Sequence, residues 1–293
     1  MFEKILVPLD GSILAESVIP FVRDFAGQLN AEIYLLNVCP AEHQPYLHMH
    51  QIYLNTLADN LRKEMTSSQN LTLQAEVLTG DPVKEIIEYT KQKNIGLVAL
   101  TSHGISGLKY QTIGTVAEKV IRGTGVPTLL TRIQPGTDPQ VKTKTIEKIL
   151  APLDTSVASK ISIPYIRELA QKIKASVTLF TLTQTIYSQN IDNMGPAAGV
   201  NWDAIDASTL KFNQDYLQGV EDEIKKSGIA VNHSTYLGVD PAYEILEMER
   251  KTQADLVVMA TRGRSQVVRW AFGSVAEKVL RAGNLPLLLI KES

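Results

Sequence analysis

Short apolar runs alternate along the chain with longer stretches of helical periodicity. Residues 4–9 and 148–153 are apolar runs stopped by Pro and Asp, and read as first strands. Residues 14–29 place Val18, Ile19, Val22, Phe25, Ala26 and Leu29 on one helical stripe. Second strands follow at 33–38 and 177–182, then helices at 51–65 and 205–224, and third strands at 71–78 and 230–237. Asp81-Pro82 and Asp240-Pro241 have the form of an N-cap followed by proline at the first helical position, opening third helices. Fourth strands fall at 96–100 and 256–259, fourth helices open near Thr115 and Ser274, and fifth strands fall at 127–130 and 286–290. Such alternation predicts mostly parallel sheets covered on both faces and joined by right-handed crossovers.

The pattern is written twice. EKILVPLDGS at 3–12 returns as EKILAPLDTS at 147–156, eight identities in ten at an offset of 144. GTVAEKVIRGTGVPTLLT at 114–131 returns as GSVAEKVLRAGNLPLLLI at 273–290, at an offset of 159. The second copy therefore holds about fifteen extra residues, placed around 183–202. The expected organisation is two tandem doubly wound, mostly parallel five-stranded sheets of Rossmann-like type, in domains 1–135 and 146–293. An irregular linker at 133–145, with Pro135, Gly136 and Pro139, joins them.

Composition narrows the classes of function. With 29 basic and 31 acidic residues, the net charge of −2 gives no electrostatic footprint for nucleic acid. Apolar runs fall far short of a membrane span, and the first residues lack signal-peptide features, so the expectation is a cytoplasmic protein. Cys39 is the single cysteine, which excludes an intrachain disulfide, and nothing around it marks an activated thiol.

In open parallel sheets, ligands bind beyond the carboxyl ends of the strands, where strand order reverses. Three pieces of each copy reach that edge: Asp10-Gly11-Ser12 and Asp154-Thr155-Ser156 after the first strand, Val38 and Leu182 on the second, and long loops after the fourth. In the loops, Gly104 and Gly114 are separated by nine residues, as are Gly263 and Gly273, and each second glycine precedes a hydroxyl residue that opens a helix. Glycine lets backbone N–H groups approach phosphate oxygens, and a helix start adds orphan donors with a partial positive charge. Thr115-Val116-Ala117-Glu118 and Ser274-Val275-Ala276-Glu277 also read as capping boxes, a role compatible with an anion site.

With these motifs in view, the chain resembles a tandem universal stress protein over nearly its whole length. Nucleotide-binding members of that family show G-x2-G-x9-G-[S/T]; the matching positions here are Thr101, Gly104, Gly114 and Thr115, and Ala260, Gly263, Gly273 and Ser274, with the first glycine replaced in both copies. The resemblance implies ATP, with Mg2+, as the ligand. Pro8, Asp10, Val38, Thr101, His103, Gly104, Gly114, Thr115 and Val116 would contact it in copy one. Pro152, Asp154, Leu182, Ala260, Arg262, Gly263, Gly273, Ser274 and Val275 would do so in copy two. It further implies self-association through fifth strands, as an intramolecular pseudo-dimer and as a homodimer, and a protein partner of unknown identity.

Other signals weigh less. No Walker sequence is present, and Gly123-Thr124-Gly125 reads as a helix end rather than a dinucleotide fingerprint. His48 and His50, with His43 nearby, read as a mobile loop rather than a metal site. His103 invites a role as base, but Arg262 fills its place in copy two. Asp10 and Asp154 admit two readings, a magnesium or water ligand and an Asx-type cap. A regulatory nucleotide binder leads; a scaffold with lost pockets and a slow ATP hydrolase stand as alternatives, and no catalytic residue is assigned.

Overall fold

Each first strand is apolar on both faces because it lies in the middle of a parallel sheet. In the computed structural model, residues 1–64, 72–101, 113–131, 145–185, 201–261 and 273–291 are described. The linker, most of the copy-two insertion, His103, Gly104, Arg262 and Gly263 lie outside them. Contacts divide the chain into unit 1, Met1–Ile146 with Asn284–Ser293, and unit 2, Glu147–Gly283.

Unit 1 runs β1 (Lys4–Leu9), α1 (Ile13–Glu16), α2 (Ile19–Leu29), β2 (Glu32–Cys39), α3 (Leu47–Glu64), β3 (Leu73–Thr79), α4 (Pro82–Gln92), β4 (Leu97–Thr101), α5 (Thr115–Gly123) and β5 (Thr128–Thr131). The parallel strands stand in the order β3-β2-β1-β4-β5, so the order reverses between β1 and β4. Ile5, Leu6 and Val7 of β1 and Leu97, Val98 and Ala99 of β4 are fully buried, which is why these segments read as unbroken apolar runs. The last strand, β10 (Leu287–Ile290), belongs to unit 1 by its contacts and pairs antiparallel with β5, Leu288 opposite Leu129.

Unit 2 runs β6 (Lys148–Pro152), α6 (Val157–Ile173), β7 (Ser176–Gln184), α7 (Trp202–Lys225), β8 (Val231–Gly238), α8 (Pro241–Thr252), β9 (Leu256–Ala260) and α9 (Ser274–Ala282). β6 lies between β7 and β9, and β7 between β6 and β8, all parallel. The same reversal therefore falls between β6 and β9. The molecule has the two-domain, Rossmann-like α/β fold.

Three local expectations are corrected. The stripe at 14–29 is two helices rather than one. Pro20 lacks the N–H that would bond Glu16, and the Ser17 hydroxyl donates to the Leu14 carbonyl at 2.7 Å. Pro164 at the matching place leaves α6 continuous, although the Ser162 hydroxyl there donates to the Ser159 carbonyl at 2.6 Å. His48 and His50 are not in a loop: they lie in the first turn of α3, where His50 Nδ1 meets Asn37 Oδ1 at 2.6 Å. Finally, Thr115 and Ser274 are not N-caps. Gly114 and Gly273 hold the cap positions, with φ of −61° and −71° and no side-chain cap. Glu118 and Glu277 turn away from the helix starts and pair with Arg122 and Arg281 four residues on.

Candidate functional site

The strand-end turns are built alike in both units. Asp10 Oδ1 accepts from Ser12 N at 3.0 Å and Ser12 Oγ at 2.6 Å; Asp154 Oδ1 accepts from Ser156 N at 3.1 Å and Ser156 Oγ at 2.6 Å. Each serine then caps the next helix, Ser12 accepting from Ala15 N and Ser156 from Ser159 N. The Asx-turn reading of these aspartates is thus the one seen, and it fixes where each carboxylate stands. The middle residue of each turn is left-handed, Gly11 at φ 84° and Thr155 at φ 65°. A side chain is strained there, so glycine suits the position and threonine does not.

In unit 2 these groups border a cavity of about 470 Å³ beyond the ends of β6 and β9. That volume lies within the ~300–1,000 Å³ range of small-molecule sites. Pro152, Asp154, Leu182, Ala260, Gly273, Ser274 and Val275, seven residues proposed from sequence, line it together. Its apolar wall is Phe180, Leu182, Val239, Ile245, Met259 and Val275. The start of α9, whose first N–H groups have no side-chain cap, also lines the cavity. Gly273 N itself donates to Thr261 O at 2.6 Å. The lining therefore combines apolar side chains with an electropositive helix start.

Sequence reasoning missed other lining residues. Phe180 and Gln184 flank Leu182 at two-residue spacing on β7, so strand alternation alone would have placed them on its face. Gln184 Nε2 donates to Val239 O at 3.2 Å across the mouth. Asp240, read only as a cap, also lines the cavity. Its Oδ1 accepts from Ala242 N at 2.9 Å, and its Oδ2 accepts from Lys278 Nζ at 3.0 Å. The Lys278 hydrogen bond and the two backbone N–H groups hold the Asp240 carboxyl below its ordinary acidity range despite partial burial. Behind Asp154, the buried Tyr216 hydroxyl has no hydrogen-bond partner among the described residues. Burial first, then the charges of Asp154 and Glu223, push its phenol up to about 12.

In unit 1, Pro8 is half-buried and Asp10 exposed at the end of β1, while Val38 and Thr101 are 8% exposed at the ends of β2 and β4. The replaced first glycine thus differs between copies. Thr101 puts a branched, buried side chain at that strand end, whereas Ala260 puts only a methyl group beside the cavity. Gly114, Thr115 and Val116 sit at the start of α5, with Val116 42% exposed.

Known proteins share this framework. A crystallised universal stress protein from Archaeoglobus fulgidus DSM 4304 superposes with a TM-score of 0.68, covering 99% of this chain and 96% of that one at 20% identity. Universal stress protein MJ0531 of Methanocaldococcus jannaschii is 29% identical over 150 residues, spanning 50% of this chain and 82% of its own. Universal stress protein YxiE of Bacillus subtilis is 26% identical over 148 residues, spanning 45% of this chain and all of its own. Each of those two relatives matches about half of the present sequence, as a duplicated chain requires. The model of the universal stress protein family matches residues 1–132 and again 145–291, and the chain belongs to that family, as two copies in tandem.

Proposed function

We propose that this chain is a regulatory binder of adenine nucleotides, with ATP and its Mg2+ as the ligand of the unit 2 cavity and of the corresponding strand-end positions in unit 1. The observation that carries this reading is the mixed lining of the cavity. An apolar slot between Phe180, Leu182, Ile245 and Met259 suits a flat base, and the uncapped start of α9 beside it suits phosphate. Asp154, fixed by Ser156 at the junction, suits the ribose hydroxyls between them. The phosphate loops 102–112 and 262–272, with His103, Gly104, Arg262 and Gly263, would complete each site. Binding is the output: occupancy alters association with a protein partner during stress. No side chain is assigned to hydrolysis.

The rest of the proposal concerns assembly and place. Domains at 1–135 and 146–293 follow the sequence repeat, and self-association runs through fifth strands, within the chain and in a homodimer. The antiparallel register of β5 with β10 supports strand pairing of that kind. No helix among the described residues is long and apolar enough to cross a membrane, which agrees with the proposed cytoplasmic setting. Mass analysis of small molecules released by denaturing freshly purified protein tests the central reading. An adenine nucleotide at near-stoichiometric yield supports it. Protein that releases none, and whose melting temperature ATP, ADP and AMP leave unmoved, refutes it.

A further inference from the structure

We infer that Lys278 is a phosphate-binding and specificity-determining residue of the unit 2 cavity, stored on Asp240 until an anionic ligand takes it over. The inference rests on the nucleotide reading above and names the residue that selects charged ligands over neutral ones. Lys278 sits in the second turn of α9, just beyond Ser274 and Val275, and all three line the cavity. A cation there adds to the positive end of the helix, a placement unfavourable by itself and favourable once an anion arrives. The start of α9 and the Lys278 ammonium thus ask for negative charge at one place.

In the structure Asp240 supplies it, through Oδ2 at 3.0 Å. That carboxylate is already committed, since its other oxygen caps α8 through Ala242 N and Tyr243 N. The pair is also partly open to solvent, Lys278 at 60% and Asp240 at 45% side-chain exposure. Exposed ion pairs of this kind contribute little, so they hold a lysine without locking it. A phosphate group brings more charge than one carboxylate and can also reach the free start of the helix. The lysine therefore moves a short way from Asp240 to ligand, and Asp240 remains as the α8 cap. Asp81 and Lys119 stand at the same spacing in copy one, at the common offset of 159.

The test is calorimetric titration of the full chain with ATP and with adenosine, read on the class of binding sites that Ala260→Trp removes. Lys278→Gln is expected to lower the ratio of ATP to adenosine affinity about tenfold, the scale of a lost hydrogen bond to a charged group. Lys278→Arg is expected to keep most of that ratio. Asp240→Asn retains a cap oxygen but releases the lysine, and is expected to raise the ratio about two- to fivefold. An unmoved ratio in Lys278→Gln overturns the inference, as does a ratio that stays or falls in Asp240→Asn. Should Lys278→Gln fail to fold, Lys278→Met is read in its place, because Asp240→Asn also removes a negative charge from the cavity lining. Wild-type chain that binds neither ATP nor adenosine refutes the nucleotide reading itself. Wild-type chain that binds both, with a ratio no variant moves, refutes only the role of Lys278.

Discussion

Exchanging the middle residue of the two strand-end turns gives a direct measure of the strain carried by copy two. Thr155 is held at φ 65°, where copy one has Gly11 at 84°. The left-handed conformation costs a residue with a Cβ roughly 1–2 kcal/mol, and a β-branched one lies at the upper end. Thr155→Gly removes that cost but returns roughly 0.4–1 kcal/mol through the greater freedom of glycine in the unfolded chain. The expected net gain is about 0.5–1 kcal/mol for unit 2, obtained from the same balance of terms. Gly11→Thr should lose a similar amount in unit 1. A Cβ built at Gly11 meets nothing within 4 Å, so that loss comes from backbone strain alone. The flanking Asp–Ser hydrogen bonds match within 0.1 Å between the two turns, so both exchanged residues sit in the same frame. Urea unfolding followed by circular dichroism reads the result. At a slope of about 1–3 kcal/mol per molar urea, the affected transition moves by a few tenths molar, upward for Thr155→Gly and downward for Gly11→Thr. A midpoint unmoved or lowered by Thr155→Gly, with Gly11→Thr harmless, would refute the strain argument.

Other outcomes follow from the same structure. Gly96→Ala drives a Cβ to 1.8 Å from the Met1 carbonyl, so thermal melting should show unit 1 destabilised by about 1–3 kcal/mol or more. Burial raises the Glu221 carboxyl, but hydrogen bonds and charge from Lys225 and His233 outweigh it and leave the group below its ordinary 4.5. Its stabilisation is then present above the unfolded value and fades as pH falls through the folded one. The stability gap between wild type and Glu221→Gln should accordingly be widest near neutral pH and close as pH falls below the ordinary carboxylate range in pH-dependent urea melts. Ala260→Trp fills the unit 2 cavity from the end of β9 and should weaken nucleotide binding there at least about tenfold, measured by calorimetry with the fold checked by circular dichroism.

Much of the architecture was legible because parallel strands buried on both faces leave short apolar runs bounded by turn residues, and because duplication repeats every signal. Asp81-Pro82 and Asp240-Pro241 were readable as helix starts, since an oxygen acceptor before a proline leaves few alternatives. Each aspartate does accept from its own helix's backbone. The helix starts at Gly114 and Gly273 were misread as capping boxes because S/T-x-x-E has two registers. The glycine, with its extended φ and ψ, took the cap position, and the acid found an arginine four residues along the helix instead. That shift of one residue matters for chemistry, because it leaves the first amides without a side-chain cap. Lys278 was not legible as a site residue. Its distance to Asp240 is set by how α8 and α9 pack, and a separation of 38 positions along the chain carries no such information.

Calorimetric titration of ATP into the intact chain tests the central claim most directly. Saturable binding that Ala260→Trp removes from one class of sites is the predicted result. A wild-type chain that takes up no ATP, ADP or AMP, while melting as one well-folded species, would contradict it.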